Sequence, residues 1–188
     1  MPHRGVSPHF IPEAIRHKAR QIKILVLDVD GVLTDGKLYF SSEGDELKSF
    51  DITDGLGLKL LRSTGVEVAI ITGRTSALVA RRARDLGIVH LTQGREDKLV
   101  ALQELLSNLN LTLDQVAYIG DDLPDLSAIC SVGLGITVAS GDDFVKAHAA
   151  WCTEKSGGAG AVREVCELLM ACQETLHAVH QNYLNVGK

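Results

Sequence analysis

Polar residues with chemical potential follow short apolar runs throughout the middle of this chain. Asp28 and Asp30 come after the run Ile24–Leu27, and later runs end in the same way. Together with one lysine that opens a helical pattern, the set comprises Asp28, Asp30, Thr72, Lys98, Asp121 and Asp122, with Asp125 close behind. Because the carboxyl ends of parallel strands meet at one edge of a sheet, we expect these side chains to converge.

Such a set suits metal-assisted phosphoryl transfer. Clustered carboxylates repel one another and need a cation to ionise together. Oxygen ligands without histidine or cysteine favour Mg²⁺. A carboxylate can also attack phosphorus as a nucleophile. The Thr72 hydroxyl and the Lys98 amine would neutralise the phosphoryl oxygens, which is what this reaction mainly requires.

The spacing of Asp28 and Asp30 adds a division of labour. Side chains at positions i and i+2 of an extended segment point to the same side. As the chain turns at Gly31, both carboxylates can therefore face one phosphate. One could attack phosphorus while the other passes a proton to the leaving oxygen.

The elements that must position these residues alternate between strand and helix. Apolar runs predict buried strands over residues 24–27, 67–71, 116–119 and 133–138. Apolar residues at three- and four-residue spacing predict helices over 56–63, 76–86, 98–109 and 123–131. The alternation predicts an α/β fold with a doubly wound, mostly parallel, Rossmann-like sheet.

Segments outside this alternation complete the predicted organisation. Residues 38–50 read as a β-hairpin around a polar turn, with an irregular surface loop as the alternative. Residues 161–180 predict one long amphipathic helix, and residues 12–22 a helix before the first strand. We divide the chain into an N-terminal extension (1–21), one domain (22–180) and a C-terminal tail (181–188).

Composition and charge restrict the partners and the compartment. The 188 residues suit a single domain, and a hydrophobic content of 45% excludes a disordered chain. The net charge of −5 gives no reason to expect nucleic acid. No apolar stretch approaches the ~18 residues of a membrane helix, and the N-terminal segment lacks a signal-type apolar core. We therefore expect a cytoplasmic protein with no membrane contact and four reduced cysteines.

The ordered motifs resemble those of the haloacid dehalogenase superfamily. They are LDVDGVLT at 27–34, ITGR at 71–74, Lys98 and GDDLPD at 120–125. Further segments at 35–36, 50–55, 93–94 and 157–165 resemble the phosphatases that act on 3-deoxy-D-manno-octulosonate 8-phosphate (KDO 8-phosphate) in lipopolysaccharide biosynthesis. The resemblance implies a Mg²⁺-dependent phosphatase that works through a phospho-aspartate intermediate.

The resemblance also implies roles for individual residues. Asp28 would be the nucleophile, Asp30 the general acid/base, and Thr72 and Lys98 would hold the phosphoryl group. The implied metal ligands are Asp28, Asp30 through its backbone carbonyl, Asp121, and Asp122, which would steady the metal's waters. The implied substrate contacts are Asp30, Asp51, Ile52, Thr53, Asp54, Gly55, Lys59, Gly73, Arg74, Arg82 and Lys98.

Some positions leave the substrate open. Leu56, Lys59 and Ala159 stand where many members of the family carry an aromatic residue, an arginine and an arginine, and a lysine in place of arginine loses bidentate carboxylate recognition. Arg82 could instead belong to the solvated face of its helix. The alternatives are a phosphatase for a nine-carbon, sialic-acid-type 9-phosphate and a phosphorylatable receiver-like signalling module.

Chain length between the motifs bears on assembly. Only 43 residues separate Asp28 from Thr72, and 25 separate Thr72 from Lys98, so we expect no cap domain. An open site admits water, and an isolated hairpin is only marginally stable. The resemblance implies a homotetramer in which a neighbour's hairpin or C-terminal tail helps to form the pocket.

Overall fold

A parallel sheet forms the centre of the protein, as seen in a computed structural model that describes residues 11–185. The strands are β1 Ile24–Leu27, β2 Tyr39–Phe40, β3 Glu46–Leu47, β4 Glu67–Thr72, β5 His90–Gln93, β6 Val116–Gly120, β7 Leu134–Thr137 and β8 Trp151–Cys152. Six of them pair in the order β5-β4-β1-β6-β7-β8, and every pairing in this sheet is parallel. The order reverses direction at β1, where ligands bind in open α/β sheets.

Helices cover both faces of the sheet. They are α1 Glu13–Gln21, α2 Ile52–Ser63, α3 Ala77–Leu86, α4 Lys98–Leu109, α5 Leu126–Ser131, α6 Asp143–His148, α7 Ala161–Cys172 and α8 Leu176–Leu184. Leu25 and Leu27 of β1 pack with α1, α2, α3 and α7, whereas Ile24 and Val26 pack with α4, α5 and α6. Alternate residues of one strand thus enter two separate cores, which confirms the doubly wound prediction.

Three elements were not predicted from the sequence. Strands β5 and β8 lie at the two edges of the sheet, and each residue of β5 is only half-buried. An edge strand therefore lacks the continuous apolar run that marks a central one. Helix α6 is short and carries a single buried residue, Val145. Helix α2 also begins earlier than predicted, because the Asp51 side chain caps it by accepting the N–H of Thr53 at 2.6 Å.

The predicted hairpin is confirmed. Tyr39 and Phe40 of β2 pair antiparallel with Leu47 and Glu46 of β3. Gly44, with φ +90°, provides the left-handed conformation in the turn between the two strands. Phe40 and Leu47 are 64% and 57% exposed, so the hairpin presents apolar side chains on its surface.

The prediction of one continuous helix over residues 161–180 is wrong. Helix α7 ends at Cys172, Glu174 adopts φ +61°, and α8 begins at Leu176 and continues to Leu184. At the break, the Gln173 side chain donates hydrogen bonds to the carbonyls of Ala19 and Ile22, at 3.0 and 2.9 Å. This docking of the end of α7 onto the end of α1 offsets the cost of a left-handed residue.

Helix α1 is an integral part of the core. Ile15 and Ala19, which lie in the predicted N-terminal extension, are buried in the cluster that includes α7. The N-terminal boundary of the packed domain therefore lies before α1 rather than after it.

Among the described residues, every helix is too short or too polar to span a lipid bilayer.

Candidate active site

Adjacent strands bring the predicted catalytic residues to one edge of the sheet. Asp28 directly follows β1, Thr72 is the last residue of β4, and Asp121 directly follows β6. Strand β1 pairs with β4 on one side and with β6 on the other, so the three strand ends are immediate neighbours. Asp28 and Thr72 are 8% and 2% exposed. The convergence expected from the sequence is confirmed for these residues.

Lys98 joins this cluster from the first turn of α4. Its Nζ donates hydrogen bonds to Oδ1 of Asp28 at 2.6 Å and to the carbonyl of Ile71 at 3.1 Å. The same Nζ lies 3.3 Å from Oδ1 of Asp125. With an exposure of 3%, the amine is buried and is held by opposite charge on two sides. A cation fixed in this way beside Asp28 can neutralise a phosphoryl group.

Asp125 belongs to this cluster, although the sequence analysis noted it only as close to the predicted set. A short 3₁₀ turn, Leu123–Asp125, carries it back under the end of β6. Its Oδ1 accepts the hydroxyl of Tyr118 at 2.7 Å, and its Oδ2 accepts the N–H of Asp121 at 3.2 Å. Asp125 thus positions both Lys98 and the Asp121 backbone. The signal in the sequence was the spacing of one turn after the GDD motif.

Glycine at position 31 makes this close packing possible. Gly31 has φ +90°, and a Cβ there would lie 1.9 Å from Oδ2 of Asp121. A residue with a side chain at position 31 would therefore collide with the Asp121 carboxylate. The turn is closed by Val29, whose carbonyl accepts the N–H groups of Val32, Leu33 and Thr34.

Burial and mutual repulsion disfavour the ionised form of the carboxylates in this cluster. Burial and the neighbouring Asp125 raise the pKa of Asp28, in opposition to Lys98, to about 6. Burial, followed by Asp125 and Asp28, raises the pKa of Asp121 to about 7. Crowded, desolvated acids of this kind ionise fully only beside a cation.

A divalent metal fits these residues. Carboxylate oxygens of Asp28, Asp121 and Asp125 lie within 4.8 Å of one another. Hard oxygen donors at this separation suit Mg²⁺, which takes few carboxylates and completes its shell with water and phosphate. Asp122 lies at the rim, where its exposed carboxylate accepts the N–H of Leu123 at 2.8 Å.

Asp30 contacts the hairpin. Its carboxylate accepts a hydrogen bond from Nζ of Lys48, a residue that was not predicted from the sequence. Lys48 also lies 3.5 Å from Glu46, whose carboxylate accepts a hydrogen bond from Arg74 at 3.1 Å. The predicted substrate residue Arg74 is thus connected to Asp30 through the hairpin.

Segment 51–55 is divided between surface and interior. Ile52 and Thr53 are exposed, whereas Asp54 and Gly55 are buried. The Asp54 carboxylate accepts the N–H groups of Arg163 at 2.7 Å and of Gly160 at 3.3 Å, at the start of α7. The structure therefore gives Asp54 a contact with the loop before α7, and burial raises its pKa to about 6.

Arg82 packs beneath this segment rather than lying on a solvated helix face. Its guanidinium donates to the carbonyl of Asp51 at 3.1 Å and lies 5.7 Å from the centre of the Phe50 ring. A Cβ at Gly55 would lie 2.3 Å from the guanidinium, so the two approach closely. Among the described residues, no carboxylate pairs with Arg82, and its buried Nε has no hydrogen-bond partner. Lys59 is exposed and lines a groove between α2 and α8.

Comparisons with known proteins show the family of this chain. Residues 83–165 match the sequence profile of the haloacid dehalogenase-like hydrolases. The chain is 45% identical over 166 residues to a 3-deoxy-D-manno-octulosonate 8-phosphate phosphatase from Yersinia pestis, with 88% of this chain and 89% of the relative covered.

Solved structures with the same fold include two phosphatases crystallised with metals. The enzyme from Moraxella catarrhalis, in complex with magnesium, phosphate and KDO, has a TM-score of 0.90 and 48% identity, covering 92% of this chain and 99% of that one. The cobalt-bound enzyme from Haemophilus influenzae has a TM-score of 0.85 and 37% identity, covering 89% and 99%. The chain belongs to the 3-deoxy-D-manno-octulosonate 8-phosphate phosphatase family of haloacid dehalogenase-like hydrolases.

Proposed function

We propose that this protein hydrolyses KDO 8-phosphate to KDO and phosphate through a phospho-aspartate intermediate on Asp28. The observation that carries the proposal is the convergence of Asp28, Thr72, Lys98 and Asp121. The relatives of this chain are named as phosphatases of the same substrate. The reaction would supply KDO for lipopolysaccharide synthesis in the cytoplasm.

In the first half-reaction, an Asp28 carboxylate oxygen attacks phosphorus and the bond from phosphorus to the sugar oxygen breaks. Asp30, in its protonated form, gives its proton to that leaving oxygen. Lys98, held 2.6 Å from Asp28, neutralises the phosphoryl oxygens together with the Thr72 hydroxyl.

In the second half-reaction, water attacks the phosphorus of the aspartyl phosphate. Asp30, now a carboxylate, takes the proton from that water, and the bond from phosphorus to Asp28 breaks to release phosphate. The two half-reactions thus return both carboxylates to their starting states. A signalling receiver needs no such acid, so the presence of Asp30 beside Asp28 favours an enzyme.

Asp28, Asp121 and the Asp30 carbonyl would hold Mg²⁺, with Asp125 fixing the neighbouring backbone and Asp122 orienting the metal's waters. When bound, Mg²⁺ supplies positive charge that permits these acids to ionise together and draws a phosphate towards Asp28. The carboxylate oxygens of Asp28 and Asp121, which lie within 4.8 Å of each other, support their part of this assignment.

The sugar-acid end would contact the segment from Asp51 to Gly55 together with Arg74, Arg82 and Lys59. Arg82 supports this best, because its guanidinium is packed in place and lacks an acidic partner among the described residues. A substrate carboxylate would supply the missing negative charge. Gly73 would leave room for the phosphoryl group beside Thr72.

Phosphate release from a panel of phosphorylated sugars tests the proposal. We expect KDO 8-phosphate to give a kcat/KM at least 10-fold above that of a nine-carbon sugar-acid 9-phosphate, corresponding to about 1.4 kcal/mol of discrimination. We also expect a chelator to abolish turnover and added Mg²⁺ to restore it. A higher kcat/KM for the nine-carbon compound would transfer the assignment to the sialic-acid-type alternative. Turnover that a chelator leaves unchanged would contradict the metal assignment.

A further inference from the structure

Lys48 is buried against the catalytic loop although it lies beside an exposed hairpin strand. Its side chain is only 2% exposed, whereas the preceding residue, Leu47, is 57% exposed. An amine is buried at high cost unless opposite charge and hydrogen bonds compensate. Here the compensation comes from the carboxylates of Asp30 and Glu46.

Asp30 depends on this contact. Within the described part of the chain, Lys48 provides the one hydrogen bond that the Asp30 carboxylate accepts. The side chain of Asp30 is 25% exposed, so without a partner it could rotate towards solvent. A charge-assisted hydrogen bond selects one orientation of the carboxylate.

Glu46 holds Lys48 from the opposite side. Its Oε1 lies 3.5 Å from Lys48 Nζ and accepts a hydrogen bond from Arg74, which lies in the turn after β4, at 3.1 Å. Side chains of alternating charge therefore connect the loop after β1 to the turn after β4. They are Asp30, Lys48, Glu46 and Arg74. The folded hairpin is thus part of the support of Asp30.

We propose that Lys48 is a positioning residue, whose hydrogen bond to Oδ1 fixes the Asp30 carboxyl group so that a proton on Oδ2 reaches the leaving oxygen as the bond to phosphorus breaks. The inference rests on the role of Asp30 in the proposed function. Misplacing a catalytic group by about 1 Å can cost about 100-fold in rate. The need for this proton depends on the leaving group, because a nitrophenolate departs without protonation and an alkoxide does not.

Leaving-group dependence tests the proposal. The rate of phosphoryl transfer to the enzyme is measured for wild type, Lys48→Met and the control Lys37→Met, an exposed lysine of the same region, with 4-nitrophenyl phosphate and with glycerol phosphate. We expect Lys48→Met to slow glycerol phosphate at least 10-fold and 4-nitrophenyl phosphate less than 3-fold, and Lys37→Met to change neither. Equal slowing of both substrates, or of neither, would overturn the proposal.

Two controls separate the possible failures. Thermal unfolding shows whether each variant is folded, and Lys48→Gln provides the same comparison if Lys48→Met does not fold. Both substrates differ from KDO 8-phosphate, so the Lys48 comparison stands even where the wild-type protein prefers another sugar phosphate. Inactivity of the wild type on KDO 8-phosphate would refute the proposed function and would leave the Lys48 proposal standing.

Discussion

Lys98 and Asp28 lie 70 residues apart in the sequence, yet the Lys98 amine is 2.6 Å from the Asp28 carboxylate in the interior of the protein. The pair joins the first turn of α4 to the end of β1. Because Lys98 also contacts Asp125 and the Ile71 carbonyl, it keeps partners when Asp28 loses its charge. The nucleophile can therefore be altered without leaving a buried amine unpaired.

We expect Asp28→Asn to abolish turnover while the protein stays folded. The amide neither attacks phosphorus nor binds Mg²⁺ well, and losing covalent catalysis should cost several orders of magnitude. Phosphate release and circular dichroism check the two parts of this expectation. Retention of more than ~1% of the activity would exclude Asp28 as the nucleophile.

We expect Asp30→Asn to separate the two half-reactions. With an aryl phosphate, phosphorylation of Asp28 should proceed, whereas hydrolysis of the aspartyl phosphate should slow by about 10²–10⁴-fold because water lacks its base. Rapid-quench measurement of the phospho-enzyme distinguishes the two steps. Equal slowing of both steps would contradict the acid/base role.

The exposed hairpin leads to a prediction about assembly. We expect the wild-type protein to be a tetramer in solution, because Phe40 and Leu47 expose apolar surface on a hairpin too short to be stable alone. Replacing residues 39–47 with a short Gly-Ser turn should cause dissociation and loss of sugar selectivity, with some aryl phosphatase activity retained. Light scattering that finds a fully active wild-type monomer would refute this prediction.

Asp54 leads to a prediction about pH. Its folded-state pKa of about 6 exceeds the ordinary value of 3.8, so the native state binds more protons than the unfolded state between these limits. Stability contributed by Asp54 is therefore present below about pH 4 and is lost as the pH rises towards 6, by up to about 3 kcal/mol.

The matched variant for this test is Asp54→Asn, which cannot titrate but retains an oxygen that accepts the Arg163 N–H. Urea unfolding from pH 4 to pH 7 should show the wild type losing stability relative to the variant as the pH rises. Parallel pH profiles for the two proteins would show that Asp54 does not titrate in this range.

The sequence by itself determined which segments form the central strands and which polar residues follow them. Continuous apolar runs marked β1, β4, β6 and β7, since central parallel strands are buried on both faces. The polar residues that follow the first three of these runs then had to lie at the carboxyl edge of the sheet, which placed Asp28, Thr72 and Asp121 together. The hairpin could also be predicted, because its polar turn and the two short strand-like pieces around it are local features.

Tertiary structure decided which partner each buried group has. Periodicity reports that a residue is buried, but a hydrogen bond between distant segments depends on how the elements pack. For this reason the contact of Lys48 with Asp30, the orientation of Asp54 towards α7 and the position of Asp125 beneath Lys98 were found only in the fold. The break at Glu174 has the same origin, because the docking of Gln173 onto α1 overrides a local helical pattern.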